Sequence, residues 1–189
     1  MSIFVTSDWH FCHNKPFLYE PRGFNSVEEM NKEIVKRHNS VVYAADDVYC
    51  LGDLILSDIE KGIEYVKQLN GKIHVIRGNH DTDNKIKLYE KCPNIVEIVE
   101  AKRLIYAKYH FFLCHYPVIC GNYDNDKPLR SRLISLCGHS HTKSPFDDWD
   151  KGLIFHCELD TNKCYPWKLD DIIGFIKAFG KDEYNWRMD

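Results

Sequence analysis

Apolar residues follow two rhythms along the chain. Short runs such as Ile3-Phe4-Val5 and Val48-Tyr49-Cys50-Leu51 stop abruptly at polar clusters, which predicts buried strands. Longer stretches repeat apolar positions every three or four residues, which predicts amphipathic helices. A strand over 2–7 is followed by a helix near 26–40, with Val27, Met30, Ile34 and Val35 on its apolar face and Ser26 as its cap. The run Asp46–Asp53 supplies a second strand, and a helix opens at Ser57-Asp58 and ends at Asn70-Gly71. Lys72–Asp81 reads as a strand followed by a loop, with a shorter helix over 83–91. Segments at 95–99, 102–107 and 109–115 are separated by short gaps, which predicts antiparallel strands, and further strands are expected at 133–137 and 153–159. Leu169-Asp170-Asp171 opens a closing helix that carries Ile172, Ile173, Phe175, Ile176 and Phe179. A β-α-β-α first half and a strand-rich second half predict an α/β fold, α+β-like in its second half, in which two packed sheets are flanked by helices.

Composition narrows the class. At 189 residues the chain is expected to form a single domain over 1–189, large enough to enclose a core. Hydrophobic residues make up 44% and charged residues 28%, as in a globular protein, and no apolar run is long enough to suggest a membrane span. The N-terminus lacks the pattern of a signal peptide, so the cytoplasm is the expected compartment. The formal net charge of −3 gives no general attraction to nucleic acid or an anionic membrane. The small basic cluster Lys127, Arg130 and Arg132 reads as a solvated loop. Eight cysteines include no C-x-x-C pair, and Cys50, Cys114 and Cys137 read as small buried hydrophobes. Cys114-His115 makes a poor nucleophile and base, because adjacent strand residues point to opposite faces.

The chemistry is concentrated at strand ends. Five apolar segments close with a polar cluster: Ser7–His10, Leu51–Leu54, Arg77–Asp81, Leu113–Pro117 and Cys137–His141. Strand ends on one side of a sheet converge, which is where open α/β folds build their sites. Together these clusters offer Asp8, His10, Asp53, Asn79, His80, Asp81, His115, His139 and His141. Carboxylate, imidazole and amide oxygen suit borderline divalent ions, manganese first and iron, zinc, nickel or cobalt as alternatives. Nine candidates are too many for one ion and suit two, with a carboxylate bridging them.

In order, these blocks read D-x-H, G-D, G-N-H-D, H and G-H-x-H, and they span Asp8 to His141. In this the chain resembles the calcineurin-like metallophosphoesterase superfamily. The resemblance implies a four-layer fold of two mixed sheets between helices, and one metal on Asp8, His10, Asp53 and His141. It implies a second metal on Asp53, Asn79, His115 and His139, with Asp53 as the bridge. It further implies hydrolysis of a phosphate ester by a metal-bound hydroxide, with His80 as general acid to the leaving group. The block after Gly52-Asp53 departs from the protein serine/threonine phosphatase branch, which continues to a second aspartate where this chain has Leu54-Ile55-Leu56-Ser57. Asp81 or another group is expected to orient His80 in its place. The opening Ser7–Asn14 and the later Pro21–Phe24 are similar to small bacterial and phage-type members. That similarity, and the lack of sequence for a cap domain, favour a phosphodiesterase. A phosphomonoesterase acting on a small molecule or nucleotide is the alternative.

Four further groups stand beside the motif. His13 either contacts a substrate phosphate from the rim or caps a turn. Arg22 is either a phosphate clamp or a surface salt bridge. Tyr116 and the 118–132 connection, with Asn122, Arg130 and Arg132, are candidates to shape substrate choice. A non-catalytic scaffold of the same fold predicts eroded ligands, and none is eroded here. A metallo-β-lactamase-type hydrolase needs an H-x-H-x-D-H run, and His139-Ser140-His141-Thr142-Lys143 lacks its second half.

Overall fold

A computed structural model of the chain describes residues 1–118, 133–146 and 154–186, with side chains described as far as 178. The chain runs through β1 (Ile3–Thr6), α1 (Pro16–Tyr19), α2 (Val27–Val41), β2 (Asp47–Cys50), α3 (Ile59–Val66), β3 (Lys72–Ile76) and α4 (Asp83–Tyr89). It continues through β4 (Ile95–Val99), β5 (Ala101–Tyr106), β6 (Tyr109–Cys114), β7 (Leu133–Cys137), β8 (Ile154–His156), β9 (Trp167–Lys168) and α5 (Leu169–Trp186). The strands form a five-stranded sheet in the order β4-β3-β2-β1-β9 and a four-stranded sheet in the order β5-β6-β7-β8.

Both sheets are mixed. In the first, β1, β2, β3 and β4 run parallel and β9 joins β1 antiparallel. In the second, β5 and β6 are antiparallel while β6, β7 and β8 run parallel. Alternation along the strands sorts the core into two layers. Phe4, Val48, Cys50, Ile73 and Val75 face helices α2 to α4, packing on Met30, Ile34, Ile63, Val66 and Tyr89. Val5, Tyr49, Leu51 and Ile76 face the second sheet, meeting Phe111, Leu113, Ile134, Leu136 and Phe155, with Ile172, Ile173 and Ile176 of α5 in the same layer. Each such side chain contributes about 1.5–3 kcal/mol when fully buried. Ser26 caps α2 by accepting from the Glu29 amide at 3.1 Å, and Asp58 caps α3 by accepting from the Lys61 amide at 3.3 Å.

Two expectations are corrected. The 95–99 segment does not pair with its successor; it joins β3 in parallel, because α4 supplies the crossover that a parallel neighbour requires. The strand expected at 153–159 ends at His156, beyond which Leu159–Thr161 form a 3-10 turn. Asn122, Lys127, Arg130 and Arg132 lie outside the described residues. Among the described residues, no helix is long and apolar enough to cross a membrane.

Candidate metal centre

The loop leaving β1 stays paired with the loop leaving β2. Asp8 and His10 donate their amides to the carbonyls of Gly52 and Asp53, both at 3.0 Å, and Phe11 donates to Leu54 at 2.9 Å. Extended backbone alone would not present consecutive ligands in one place, and left-handed turns do so here. Asp8, His10, Asp53, His139 and His141 all have positive φ, between 49° and 75°. Such torsions cost non-glycine residues about 1–3 kcal/mol each and concentrate at functional sites. Close approach sets the rest of the frame. A Cβ on Gly138 would collide with Ser7 Oγ and Asp8 Oδ2, and one on Gly52 would lie 2.6 Å from the backbone of Gly78.

The side chains then fall into two sets. In the first, His10 Nε2 lies 3.4 Å from Asp8 Oδ1 and 3.0 Å from His141 Nε2, which is itself 3.6 Å from Asp8 Oδ1. In the second, Asn79 Oδ1 lies 2.8 Å from His115 Nε2 and 2.9 Å from His139 Nδ1. Asp53 Oδ2 stands between them, 3.9 Å from His10 Nε2 and 3.6 Å from His115 Nε2. Asp8, His10 and His141 form one compact metal-competent group, and Asp8, Asp53 and His115 form another.

The bonding around these groups fits divalent cations. His115 donates Nδ1–H to the Leu51 carbonyl at 2.7 Å and His141 donates Nδ1–H to Asp160 at 3.0 Å, so each turns a lone pair on Nε2 inward. Asp8 Oδ1 is buried and without a hydrogen-bond partner among the described residues, while Oδ2 accepts the His139 amide at 2.9 Å. Asp8 Oδ1, without a partner and facing the imidazole nitrogens of His10 and His141, suits a site in which a cation supplies the missing charge. Burial pushes the Asp8 carboxyl up, but the approach of His10 and the charge that His10, His141 and His115 carry when protonated outweigh it and hold the pKa at about 2. Burial likewise works against charge on His141, yet its bond to Asp160 raises the imidazole overall.

His80 stands at the rim. Its side chain is 47% exposed, Nε2 lies 3.9 Å from Asp53 Oδ2, and its amide donates to Asp53 Oδ1 at 2.8 Å. The structure corrects two assignments beside it. Asp81 does not orient the His80 ring; its carboxylate accepts from the amides of Asp53, Leu54 and Gly78 and from the Tyr89 hydroxyl. Its role is to fasten the two loops to each other. Arg22 is neither a surface salt bridge nor a free phosphate clamp. Its side chain is buried, and its donors are committed to Asp160 and to the carbonyls of Asp8 and Trp9. His13 packs edge-on against His10 and Phe17, and burial together with the nearby His10 and His80 lowers its pKa to about 4. Tyr116 packs edge-on against His115 and His139.

Sequence reasoning missed Asp160 and Lys85. Buried Lys85 donates to the carbonyls of Ile55 at 2.6 Å and His80 at 2.8 Å, tying the loop that carries His80 to the one after Asp53. Neither residue belongs to a strand-end cluster, and neither carried a local signal.

The chain is 44% identical over 181 residues to an uncharacterized protein of Methanocaldococcus jannaschii, covering 93% of this chain and 91% of that one. It is 28% identical over 165 residues to the gene 66 protein of a Mycobacterium phage, covering 76% and 78% of the two. The crystal structure of a protein of unknown function from Aquifex aeolicus shares the fold, with a TM-score of 0.66 at 19% identity over 92% of this chain and 98% of that one. The family profile of the calcineurin-like phosphoesterase superfamily domain matches residues 1–156, a span that holds all seven candidate ligands. With the ordered blocks brought to one edge of the paired sheets, that match settles the family: the chain belongs to the calcineurin-like phosphoesterase superfamily.

Proposed function

We propose that the protein is a two-metal phosphoester hydrolase that prefers diesters. The observation that carries this reading is the position of Asp53 Oδ2, within 3.9 Å of one donor set and 3.6 Å of the other. Asp8, His10, Asp53 and His141 would hold one divalent ion, and Asp53, Asn79, His115 and His139 the other. Manganese is the first choice, with iron, zinc, nickel or cobalt also fitting the donors. Bound there, the ions would supply Lewis acidity toward the phosphoryl oxygens and activate water for attack.

The chain's own groups do the rest. Asn79 contributes a neutral oxygen and so adds a donor without further negative charge. His80, half-exposed beside Asp53, is placed to give a proton to the departing ester oxygen. His13, with its lowered pKa, is uncharged at neutral pH and can hydrogen-bond the substrate without competing for it as a cation. The diester preference rests on space. A groove of about 1120 Å3 opens from His10, His80 and His141 and runs past His13, Phe17 and Leu56. Phe17, 72% exposed, gives it an apolar wall for the second arm of an ester.

The test is a manganese-supplemented screen of phosphomonoesters, linear diesters and cyclic nucleotides. A diester should lead it. H80A should lower turnover of esters with poor leaving groups by about 10²–10⁴-fold while sparing activated aryl esters. Equal losses on both would remove His80 as the acid, and a screen with no hydrolysis would refute the reading.

A further inference from the structure

Asp160 lies on the 3-10 turn after β8, 138 positions from Arg22 and 19 from His141. Its Oδ2 accepts from two sides, from Arg22 Nη2 at 2.7 Å and from His141 Nδ1 at 3.0 Å. Its Oδ1 accepts from Arg22 Nε at 3.0 Å, which completes a two-pronged contact. The same Nη2 donates to the main-chain oxygen of Asp8 at 2.9 Å, and Nη1 reaches that of Trp9 at 3.4 Å. One buried guanidinium therefore holds both the backbone of one candidate ligand and the carboxylate behind another.

Among the described residues the other donor set has no such support. His115 rests its Nδ1 on the neutral Leu51 carbonyl, and His139 directs Nδ1 itself at Asn79 from an exposed position. The two sets also differ in charge. Among the described residues the first has Asp8 and shares Asp53, with Asp160 behind it, whereas the second shares Asp53 and adds a neutral amide. A carboxylate behind an imidazole fixes its tautomer and strengthens the opposite nitrogen as a donor.

We infer that Arg22 and Asp160 are a positioning pair that locks His141 with its proton on Nδ1 and makes the Asp8–His10–Asp53–His141 position the tighter of the two for a divalent cation. This rests on the functional reading only in that the centre takes up such ions. Both residues border the groove, but their polar atoms are engaged with each other, with His141 and with the backbone of Asp8 and Trp9. Arg22, fully committed here, leaves phosphate recognition to other groups on the groove.

Metal-free protein titrated with manganese should bind in two steps. D160N offers one oxygen where two are used, and its amide group opposes either the Arg22 fork or the His141 proton. The tighter step should weaken by about 10–100-fold and the weaker step should stay within about twofold. Nitrogen NMR of the imidazoles in metal-free protein, at a pH high enough for the rings to be neutral, gives a readout independent of catalysis: His141 should carry its proton on Nδ1 in the parent and lose that preference in D160N. R22K keeps the charge but loses the fork, and should weaken the same step less. It decides the case if D160N does not fold. Two equal steps in the parent, or an unchanged tighter step and tautomer in the folded variants, would overturn the inference. Two-step binding with no hydrolysis of any ester would instead end the functional reading and leave this pair standing. Hydrolysis with binding indifferent to Asp160 would do the reverse.

Discussion

Replacing Asp81 tests how the two central loops are held together. Its buried carboxylate accepts from the amides of Asp53 at 2.8 Å, Leu54 at 3.2 Å and Gly78 at 2.9 Å, and from the Tyr89 hydroxyl at 3.0 Å. D81A leaves all of these donors without a partner. A buried donor without one costs about 1–3 kcal/mol, so the sum lies between about 4 and 12 kcal/mol. Water entering the vacated space recovers part of that, which places the net loss near the lower bound, about 4 kcal/mol. Against a typical stability of about 5–15 kcal/mol, this is a severe loss. D81N keeps one oxygen but turns an amide toward two donors, and should lose about half as much. Urea unfolding of the metal-free protein, followed by fluorescence of buried Trp9, measures both. If D81A unfolds within about 0.5 kcal/mol of the parent yet loses activity, Asp81 serves the His80 ring and the reasoning here is wrong.

Two further outcomes follow from the same geometry. G138A inserts a methyl group against Ser7 Oγ and Asp8 Oδ2, so the His139 loop must retreat; we expect a stability loss of about 1–3 kcal/mol and weakened manganese binding, and unaltered binding by calorimetry would contradict the packing. Burial lowers His38 from 6.5 to about 4, against the raising effect of its bond to the Asn70 carbonyl. The unfolded chain therefore takes up this proton first, and stability should decline as pH falls from 6.5 toward 4, by up to about 3 kcal/mol. H38Q should flatten that slope in urea midpoints measured across the window, and parallel slopes would rule His38 out as the cause.

The parts legible in the sequence are those whose signal is local. Ser26 and Asp58 cap helices because a short polar side chain precedes an apolar repeat, and the structure shows both caps. The strand ends point to the candidate ligands because each one stops at a polar cluster. Partners joined across the fold were not legible. Arg22 and Asp160 are 138 positions apart, and nothing around either indicates the other. The sequence around Asp81 points to a side-chain partner, whereas most of its partners are main-chain amides, which look the same in every residue. The pairing of 95–99 was misread because a short gap to the next strand outweighed the crossover helix behind it. Lys85 resembles any surface lysine until its ammonium is found among buried carbonyls.

The left-handed torsions at Asp8, His10, Asp53, His139 and His141 bear on how such a protein evolves. Glycine or asparagine would relax each of these positions, so mutations that discard the chemistry are rewarded with a sturdier fold. A lineage freed from the need for the centre would drift along that route, shedding side chains where the main chain is most contorted.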